Sequence, residues 1–269
     1  RKILSEYLAC GIDPEKAAIY VQSDVKEVLE LYLYLNMNAY LGELQRVTSF
    51  KEKARKQPEN VNAGLLTYPT LMAADILIHR ADKVPVGKDQ EQNMEMARKF
   101  ARRFNTIYGV EFFPEPQSYS FGGDAIKVPG LDGSGKMGKS EGNAIYLIDD
   151  VATIRKKVMK AVTDSGPTQP NSEKPEAIAN LFTMLKIVSS ADTYDYFNEK
   201  YNACEIRYGD LKKQLAEDIV NFTSPIRERI LAYAADTEYM DKVAREGAEK
   251  ARASADKTIR EVRKIIGFN

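Results

Sequence analysis

Histidine and cysteine are scarce in this chain, and their scarcity excludes two kinds of site. His79 is the only histidine, and the two cysteines, Cys10 and Cys204, lie far apart with no second cysteine near either. A structural zinc site needs several Cys or His ligands at short spacing, and a disulfide scaffold needs more cysteines. The sequence therefore predicts neither a disulfide framework nor a protein-bound metal.

The chain also has no charge excess and no long apolar run. Lysine plus arginine equals aspartate plus glutamate, 39 each, so any polyanion site must be local. No apolar run approaches the ~18 residues of a membrane span, and the N-terminus does not resemble a signal peptide. We expect a soluble, cytoplasmic protein without a membrane partner. Its 269 residues suffice for one large domain or two ordinary ones.

Residues 1–150 alternate between candidate helices and short apolar strands. The candidate strands are residues 18–22, 83–87 and 125–129. The candidate helices are a segment starting at Asp13 and Pro14, "VKEVLELYLYL" after Ser23 and Asp24, residues 38–56, "AGLLTYPTLMAADILIHRA" and "DQEQNMEMARKFARRFN". Strands that alternate with helices predict an α/β domain with a parallel, doubly wound sheet.

Residues 151–269 read as helix almost throughout. Four long helical patterns are "VATIRKKVMKAV", "PEAIANLFTMLKIVSS", "YGDLKKQLAEDIVNFTSPIRERILAYAA" and "TEYMDKVAREGAEKARASADKTIREVRKII", and the loop "TDSGPTQPNSEKP" separates the first two. The sequence thus predicts an α/β domain over 1–150 and an all-α domain over 151–269.

The stretch "GSGKMGKS" (residues 133–140) allows three interpretations. As G-x-x-x-x-G-K-S it matches a phosphate-binding P-loop, which needs a helix that begins at its Lys-Ser. "EGNAIYLIDD" follows instead, and its apolar strand comes too soon for a parallel crossover of about a dozen residues. The P-loop is therefore disfavoured. A glycine-rich surface turn and the mobile lysine loop of class I aminoacyl-tRNA synthetases remain.

Motifs along the whole chain favour the synthetase interpretation. "GIDPEKAAIYVQSDV", "AGLLTYPTLMAADIL", "VPVGKDQEQNMEMARKFARRFN", "KMGKS", "KKVMKAVTDS" and "EGAEKARASADKTIREVRKIIGF" together resemble the bacterial tryptophanyl-tRNA synthetases. The resemblance implies a class I Rossmann-like parallel sheet followed by a helical anticodon-binding domain. It also implies L-tryptophan, ATP with Mg²⁺ and tRNA(Trp) as ligands, and a homodimer.

One helix face carries the residues expected to bind the amino acid. Tyr68, Met72 and Asp75 stand at i, i+4 and i+7, so they share a face. An indole ring is apolar apart from one N–H that can only donate, and a carboxylate can only accept. The resemblance assigns Asp75 to the indole N–H. The residues alone favour a pairing of Asp75 with a cation such as Arg80 or Lys83.

Two further segments complete the site that the resemblance implies. "VPVGKDQ" follows a strand, where open α/β sheets bind ligands; Gly87, Lys88 and Asp89 are expected to contact ATP, Gln90 the amino acid's ammonium and carboxylate, and Val84 and Val86 its ring. A glycine at a strand exit with an N-capping Asp89 explains the same residues without a ligand. Lys136 and Lys139 are expected to act catalytically on the leaving pyrophosphate. The other expected ATP contacts are Lys53, Val128, Met137, Gly138 and Ser140.

Three departures and two alternatives accompany this interpretation. Gly138 replaces the serine most common in the family, Asn93 stands where many relatives have histidine, and the phosphate-binding H-I-G-H-type motif is absent. We expect a missing N-terminal segment, and hence no activity from these residues alone. A tyrosine-specific relative and a non-catalytic tRNA- or partner-binding fragment are the alternatives. The basic residues Arg155, Lys156, Lys157 and Lys160 are either tRNA phosphate contacts or a solvated helix face.

Overall fold

The chain divides into two compact units. The computed structural model describes residues 2–87, 90–119, 127–138 and 141–268. The first unit combines Arg1–Asp13 with Asp124–Met240, and the second combines Pro14–Gly123 with Asp241–Asn269. The two units therefore each contain segments from distant parts of the sequence. This division differs from the predicted boundary at residue 150, and the assignment of a catalytic and an anticodon-binding domain stays a prediction.

The second unit contains the parallel strands and the helices around them. Its elements are α2 (Glu27–Met37), α3 (Leu41–Leu44), α4 (Thr48–Lys56), α5 (Ala63–Leu77), β1 (Lys83–Pro85), α6 (Glu91–Tyr108), β2 (Gln117–Tyr119) and the part of α11 (Thr237–Ile266) from Asp241 onward. The two strands pair in parallel, with Val84 opposite Ser118. Because α6 connects two parallel strands, this segment is a βαβ unit, the connection that parallel pairing requires.

The core of this unit lies where α5 packs against α2 and α6. Ala73, Ala74 and Leu77 of α5 are fully buried, and Phe100 and Phe104 of α6 pack in the same cluster. Helix α11 adds side chains spaced three or four residues apart, which is the spacing of one helix face: Ala251, Ala255, Ile259 and Val262. The helix that carries Asp75 is therefore fixed by packing along its opposite face.

Helix α11 also holds the irregular segment before α2. A Cβ at Gly247 would lie 2.0 Å from the carbonyl oxygen of Ile19, so only glycine fits at this approach. The ammonium of Lys250 donates to the carbonyl of Pro14 at 3.0 Å, and Nε of Arg252 donates to that of Asp24 at 2.7 Å. Residues 14–24 thus satisfy part of their backbone with helix side chains.

The first unit is helical in its described part. Its elements are α1 (Lys2–Ala9), α7 (Val151–Met159), α8 (Glu176–Val188), α9 (Ala191–Asn202) and α10 (Tyr208–Ala235). Helices α1, α7 and α8 pack against α10, which buries Leu211 and Leu215. Asp150 and Ser190 cap α7 and α9 by accepting the backbone amides three residues on. Asn180 of α8 donates to the carbonyls of Gly133 and Ser134 and so ties the lysine loop to this helical core.

Most predicted helices and the strand predicted within 83–87 are confirmed, whereas the strand predicted over 18–22 and several boundaries are wrong. Within the described residues, 18–22 form no strand, no helix starts at Asp13, and 38–56 form two helices with a break between them. Residues 127–129 are irregular, and 125–126 lie outside the described residues. Strand β2 and helix α9 were not predicted. The α/β class itself, with a parallel sheet and a helical remainder, is confirmed.

The described residues contain neither a membrane-spanning helix nor a cluster of metal ligands. No helix within the described ranges is long and apolar enough to cross a membrane. The same residues contain no group of three or more His, Cys, Asp or Glu side chains that could hold a metal ion.

Candidate active site

Helix α5 presents a partly open face that carries three of the predicted residues. Asn62 caps the helix by accepting the backbone amide of Leu65 at 2.9 Å. Tyr68, Met72 and Asp75 are half-buried, whereas the residues on the opposite face are fully buried. The predicted i, i+4, i+7 face is therefore confirmed as geometry. It offers an apolar surface with one carboxylate.

Asp75 is paired with an amide and not with a cation. Nε2 of Gln22 donates to both carboxylate oxygens, at 2.8 and 2.6 Å. Arg80 instead lies over the ring of Phe112 at 4.7 Å, and Lys83 lies over that of Tyr119 at 5.2 Å. The alternative in which Asp75 pairs with Arg80 or Lys83 is therefore wrong.

Burial and the hydrogen bond from Gln22 act in opposite directions on the pKa of Asp75. Burial raises the pKa of the Asp75 carboxyl, and the hydrogen bond from Gln22 offsets part of that rise. His79 lies in the turn that follows α5, four residues after Asp75, and burial lowers the pKa of its imidazole. Its two ring nitrogens contact the hydroxyls of Tyr20, at 2.9 Å, and Ser254, at 3.1 Å. Asp75 thus belongs to a polar group of α5, the segment before α2, and α11.

Lys53 lies against the same face of α5. Its ammonium is 4.6 Å from the centre of the Tyr68 ring, and the Tyr68 hydroxyl is hydrogen-bonded to Ser49 of α4. A cation over an aromatic face is attracted by the ring's negative surface. Lys53 and Tyr68 line a cavity of about 480 Å³ together with Lys56, Asn60 and Asn62. The structure therefore brings together Lys53 and Tyr68.

The predicted segment after β1 forms the entrance to α6. Val84 lies on β1, and the amide of Val86 donates to the carbonyl of Tyr119 on β2 at 3.3 Å. The backbone amide of Gln90 donates to the carbonyl of Gly87 at 3.0 Å, and the side-chain oxygen of Gln90 accepts from the side chain of Asn93 at 2.8 Å. Asn93 thus orients Gln90. Lys88 and Asp89 lie outside the described residues.

The lysine loop belongs to the first unit. The Met137 amide donates to the carbonyl of Val128 at 2.9 Å, and Lys136 is exposed. Val128 and Met137 line an apolar cavity of about 220 Å³ with Ile145, Met184 and Phe222. Lys139 and Ser140 lie outside the described residues. The described loop therefore combines one exposed ammonium with an apolar cavity that adjoins it.

The basic residues of α7 differ in their partners. Arg155 makes two hydrogen bonds to Glu217, at 2.7 and 2.9 Å, and Lys157 contacts Asp149 and the carbonyl of Ala144. Arg155 and Lys157, two of the four residues predicted to contact tRNA phosphates, are therefore bound to other groups of this chain. Within the part of the chain that the structure describes, Lys156 and Lys160 form no ion pair.

Three contributing residues were not predicted from the sequence. Gln22 contacts Asp75 across a gap of 53 residues, and Tyr20 contacts His79 across 59. Asn143 is buried beneath the lysine loop and hydrogen-bonds to Gly138. Polar residues within an apolar segment, as in "AIYVQSDV", were the only available signal for the first two. For Asn143 the signal was its closeness in sequence to the lysines.

The profile of the family described as "tRNA synthetases class I (W and Y)" matches residues 1–224, and the chain belongs to this family. A tryptophan--tRNA ligase of Porphyromonas gingivalis is 78% identical over 268 residues, which cover 100% of this chain and 82% of that protein. One of Listeria monocytogenes is 41% identical and is covered to 80%.

The solved structures agree with this assignment. A tryptophanyl-tRNA synthetase from Campylobacter jejuni, complexed with ADP and tryptophan, superimposes with a TM-score of 0.85 at 34% identity. The match covers 99% of this chain and 82% of that one. A tyrosyl-tRNA synthetase from Aeropyrum pernix has a TM-score of 0.61 at 20% identity, and this likeness shows the fold alone.

Proposed function

We propose that this chain is a tryptophan--tRNA ligase. It activates L-tryptophan with ATP to tryptophanyl-adenylate and pyrophosphate, and then transfers tryptophan to tRNA(Trp) in the cytoplasm. The observation that carries the proposal is the lone carboxylate of Asp75 on the apolar, half-open face of α5, already bound to an N–H donor from Gln22. The similarity to tryptophan--tRNA ligases supports it over the whole chain.

Recognition of tryptophan follows from the chemistry of this face. The indole N–H donates to Asp75, while Met72 and Tyr68 cover the ring together with Val84 and Val86. A phenylalanine ring bound on this face would cover the half-buried carboxylate without donating to it, so phenylalanine is rejected more strongly than an apolar pocket could reject it. Gln90, held by Asn93, binds the ammonium and carboxylate of the amino acid through its amide.

Adenylate formation needs negative charge to be stabilised on the leaving group. A carboxylate oxygen of tryptophan attacks the α-phosphorus of ATP, and the bond from that phosphorus to the bridging oxygen of pyrophosphate breaks. Gly87, Lys88, Asp89 and Val128 bind the nucleotide, and Lys53 approaches its phosphates. Lys136 and Lys139, in the loop with Met137, Gly138 and Ser140, neutralise the charge that builds on pyrophosphate. Magnesium enters with the substrate as Mg-ATP, since phosphates are its preferred ligands.

The tyrosine-specific alternative has less support. The tyrosine-specific structural neighbours match at low identity, which carries the fold and no specificity. Of the segment "LMAAD", Met72 lies beside Asp75 on the half-open face, whereas Ala73 and Ala74 are fully buried in the core, so the preference for tryptophan is supported by the similarity to tryptophan--tRNA ligases. The presence of Asp75, Gln90, Lys136 and Lys139 stands against the alternative of a non-catalytic fragment, whereas the absence of an H-I-G-H-type motif from the sequence favours it.

The exposed face of α2 supports a homodimer. Leu29, Leu33 and Met37 of α2 follow one another at helical spacing and are 61%, 53% and 76% exposed, and Tyr40, just beyond the helix, is 63% exposed. A contiguous apolar patch on a soluble protein marks an interaction site, and an isologous contact between two copies covers it. Light scattering on the protein with Leu33→Glu tests this, with a monomer as the expected result.

The exposed Lys156 and Lys160 are the proposed tRNA phosphate contacts of α7.

The function is tested by amino-acid-dependent ATP–pyrophosphate exchange in the full-length protein that carries this sequence. We expect exchange with tryptophan and little with tyrosine at equal concentration. A preference for tyrosine would replace the proposal with the tyrosine-specific alternative. Exchange with neither amino acid, by protein that is folded according to circular dichroism, would leave the non-catalytic alternative.

A further inference from the structure

We infer that Asn143 is the positioning residue of the lysine loop, and that it acts by holding the backbone of Lys136 and Gly138 in one conformation. The inference rests on the proposed function of Lys136. Asn143 follows the loop and is only 5% exposed, although asparagine is usually found at the surface. A buried amide keeps its place through hydrogen bonds, and those of Asn143 lead into the loop.

The side chain of Asn143 joins both limbs of the loop, which are residues 132–138 and the segment from residue 141 onward. Its Oδ1 accepts the backbone amide of Gly138 at 2.9 Å. Its Nδ2 lies 3.1 Å from the carbonyl of Lys136 and 3.0 Å from both the Asp132 carboxylate and the Ser134 hydroxyl. A carboxylate and a carbonyl can only accept, so the amide nitrogen must face them. Asparagine therefore supplies a donor edge and an acceptor edge at once.

Two neighbours show that the loop is built around this amide. A Cβ at Gly130 would lie 2.2 Å from Nδ2 of Asn143 and 2.5 Å from the Asp132 carboxylate, so any larger residue would displace the amide. Hydrogen bonds from Ser134 and Asn143 lower the pKa of Asp132, which keeps it an acceptor. The backbone of Asn143 also takes part, since its carbonyl accepts the amide of Leu131 at 3.1 Å.

This placement has a consequence for catalysis. Lys136 is exposed, so packing does not fix it, and the direction of its side chain depends on its backbone. An ammonium that acts on a leaving group must be in position at the transition state, and a displacement of about 1 Å can cost about a hundredfold in rate. Asn143 touches the lysine's backbone and lies below the loop surface. It therefore acts through Lys136 and not on the substrate.

The sharpest variant is Asn143→Asp, which keeps size and acceptor but removes the donors. Its carboxylate would face that of Asp132 and the Lys136 carbonyl. We expect kcat for tryptophan-dependent exchange to fall by about tenfold or more, with KM for tryptophan unchanged, because the loss is confined to the transition state. The further substitution Asp132→Asn supplies an amide donor between residues 132 and 143 again and should recover part of kcat. Gly130→Ala should reproduce the loss.

The control is Asn105→Asp in the other compact unit. Asn105 likewise accepts backbone amides, from Phe112 and Phe113, and donates to the Phe113 carbonyl. It should lower thermal stability to a similar degree while kcat stays at the wild-type value. Equal kcat losses in the two variants, or a change in KM for tryptophan with kcat unchanged, would overturn the inference.

A second measurement is independent of activity. Asn143→Ala removes the acceptor of the Gly138 amide, so hydrogen exchange at Gly138 should accelerate while exchange in α10 stays slow. Unchanged protection at Gly138 would overturn the placement of Asn143. If the wild-type protein showed no tryptophan-dependent exchange, the proposed function would fail, and hydrogen exchange would still decide whether Asn143 holds the loop.

Discussion

The α5 face and the lysine loop are supported in different ways. Asp75 lies on a 15-residue helix whose other face is buried against α2 and α6, and Gln22 holds both of its carboxylate oxygens. The described residues of the lysine loop have no regular secondary structure, and buried Asn143 joins the two limbs. A group that recognises the substrate benefits from a rigid helix, whereas a group needed only at the transition state can lie in a loop whose backbone is held at a few points.

The two regions should therefore fail differently when they are mutated. Damage to the α5 face changes how tryptophan is bound and distinguished. Damage to the loop lowers turnover and leaves amino-acid binding intact. This separation follows from the proposed roles of Asp75 and Lys136, and single substitutions in each region test it.

The largest effect is expected from Lys136→Ala. Loss of one preorganised transition-state donor costs about 2.7–4 kcal/mol, or about a hundredfold or more in kcat. KM for tryptophan should stay unchanged in steady-state exchange, and the same is expected of Lys139→Ala. The control is Lys186→Ala, which removes an exposed ammonium from α8 in the same unit. A rise in KM for tryptophan with normal kcat would show that the loop takes part in amino-acid binding.

The next effect is expected from Asp75→Ala. A hydrogen bond to a charged group contributes about 1.5–3 kcal/mol, so kcat/KM for tryptophan should fall at least about tenfold. Measurement of KM for ATP provides the internal control, because Asp75 is not expected to contact the nucleotide. Wild-type efficiency with tryptophan would remove Asp75 from the site.

A change on α11 should damage the α5 side through the segment that carries Gln22. In Gly247→Ala the new Cβ would lie 2.0 Å from the carbonyl oxygen of Ile19, and the backbone of residues 19–22 must move. Overpacking of this kind costs about 1–3 kcal/mol, which thermal or urea unfolding would measure.

A matched variant separates this clash from the ordinary effect of adding a methyl group. In α10, a Cβ at Gly209 would meet nothing within 4 Å. Gly209→Ala should therefore be neutral or slightly stabilising, since alanine favours helix. If both variants had the same stability, α11 would not hold residues 19–22 in the way described.

The smallest effect is a shift in pH dependence. Burial raises the pKa of Asp75, so its carboxylate is protonated at a higher pH than an ordinary aspartate. KM for tryptophan should therefore rise as the pH is lowered from neutrality through that pKa. Gln22→Leu removes the hydrogen bond that offsets the burial, so the rise should begin at a higher pH. In Asp75→Ala the step should vanish, and an unaltered step there would assign it to another group.

The local features of the site were predictable from the sequence. Tyr68, Met72 and Asp75 share a face because the helical repeat puts them there, and "VPVGKDQ" predicted the exit of a strand. The contacts of Asp75 with Gln22 and of Asn143 with Asp132 were not predictable, because tertiary packing determines which polar groups meet. The predicted roles of these residues in binding and catalysis remain predictions.

The helices were more predictable than the strands for a physical reason. A helix satisfies its backbone within one segment, so composition and caps identify α5, α6, α8 and α10. A strand needs a neighbour, and residues 14–24 instead meet Gly247, Lys250 and Arg252 of α11. Strand β2 was missed because "QSY" is short and exposed. Two helices replace the single one predicted over 38–56, and the local pattern did not reveal that break.

The proposed hydrogen bond from the indole N–H to Asp75 is tested most directly by comparing tryptophan with 1-methyltryptophan, whose ring nitrogen has no hydrogen to donate. The substrates are used in ATP–pyrophosphate exchange with the wild-type protein and with Asp75→Ala. If Asp75 reads the indole N–H, the wild-type protein prefers tryptophan by at least about tenfold in kcat/KM, and Asp75→Ala accepts the two substrates nearly equally. The same preference in both proteins would show that Asp75 does not recognise the indole N–H, because the discrimination would then come from another part of the molecule.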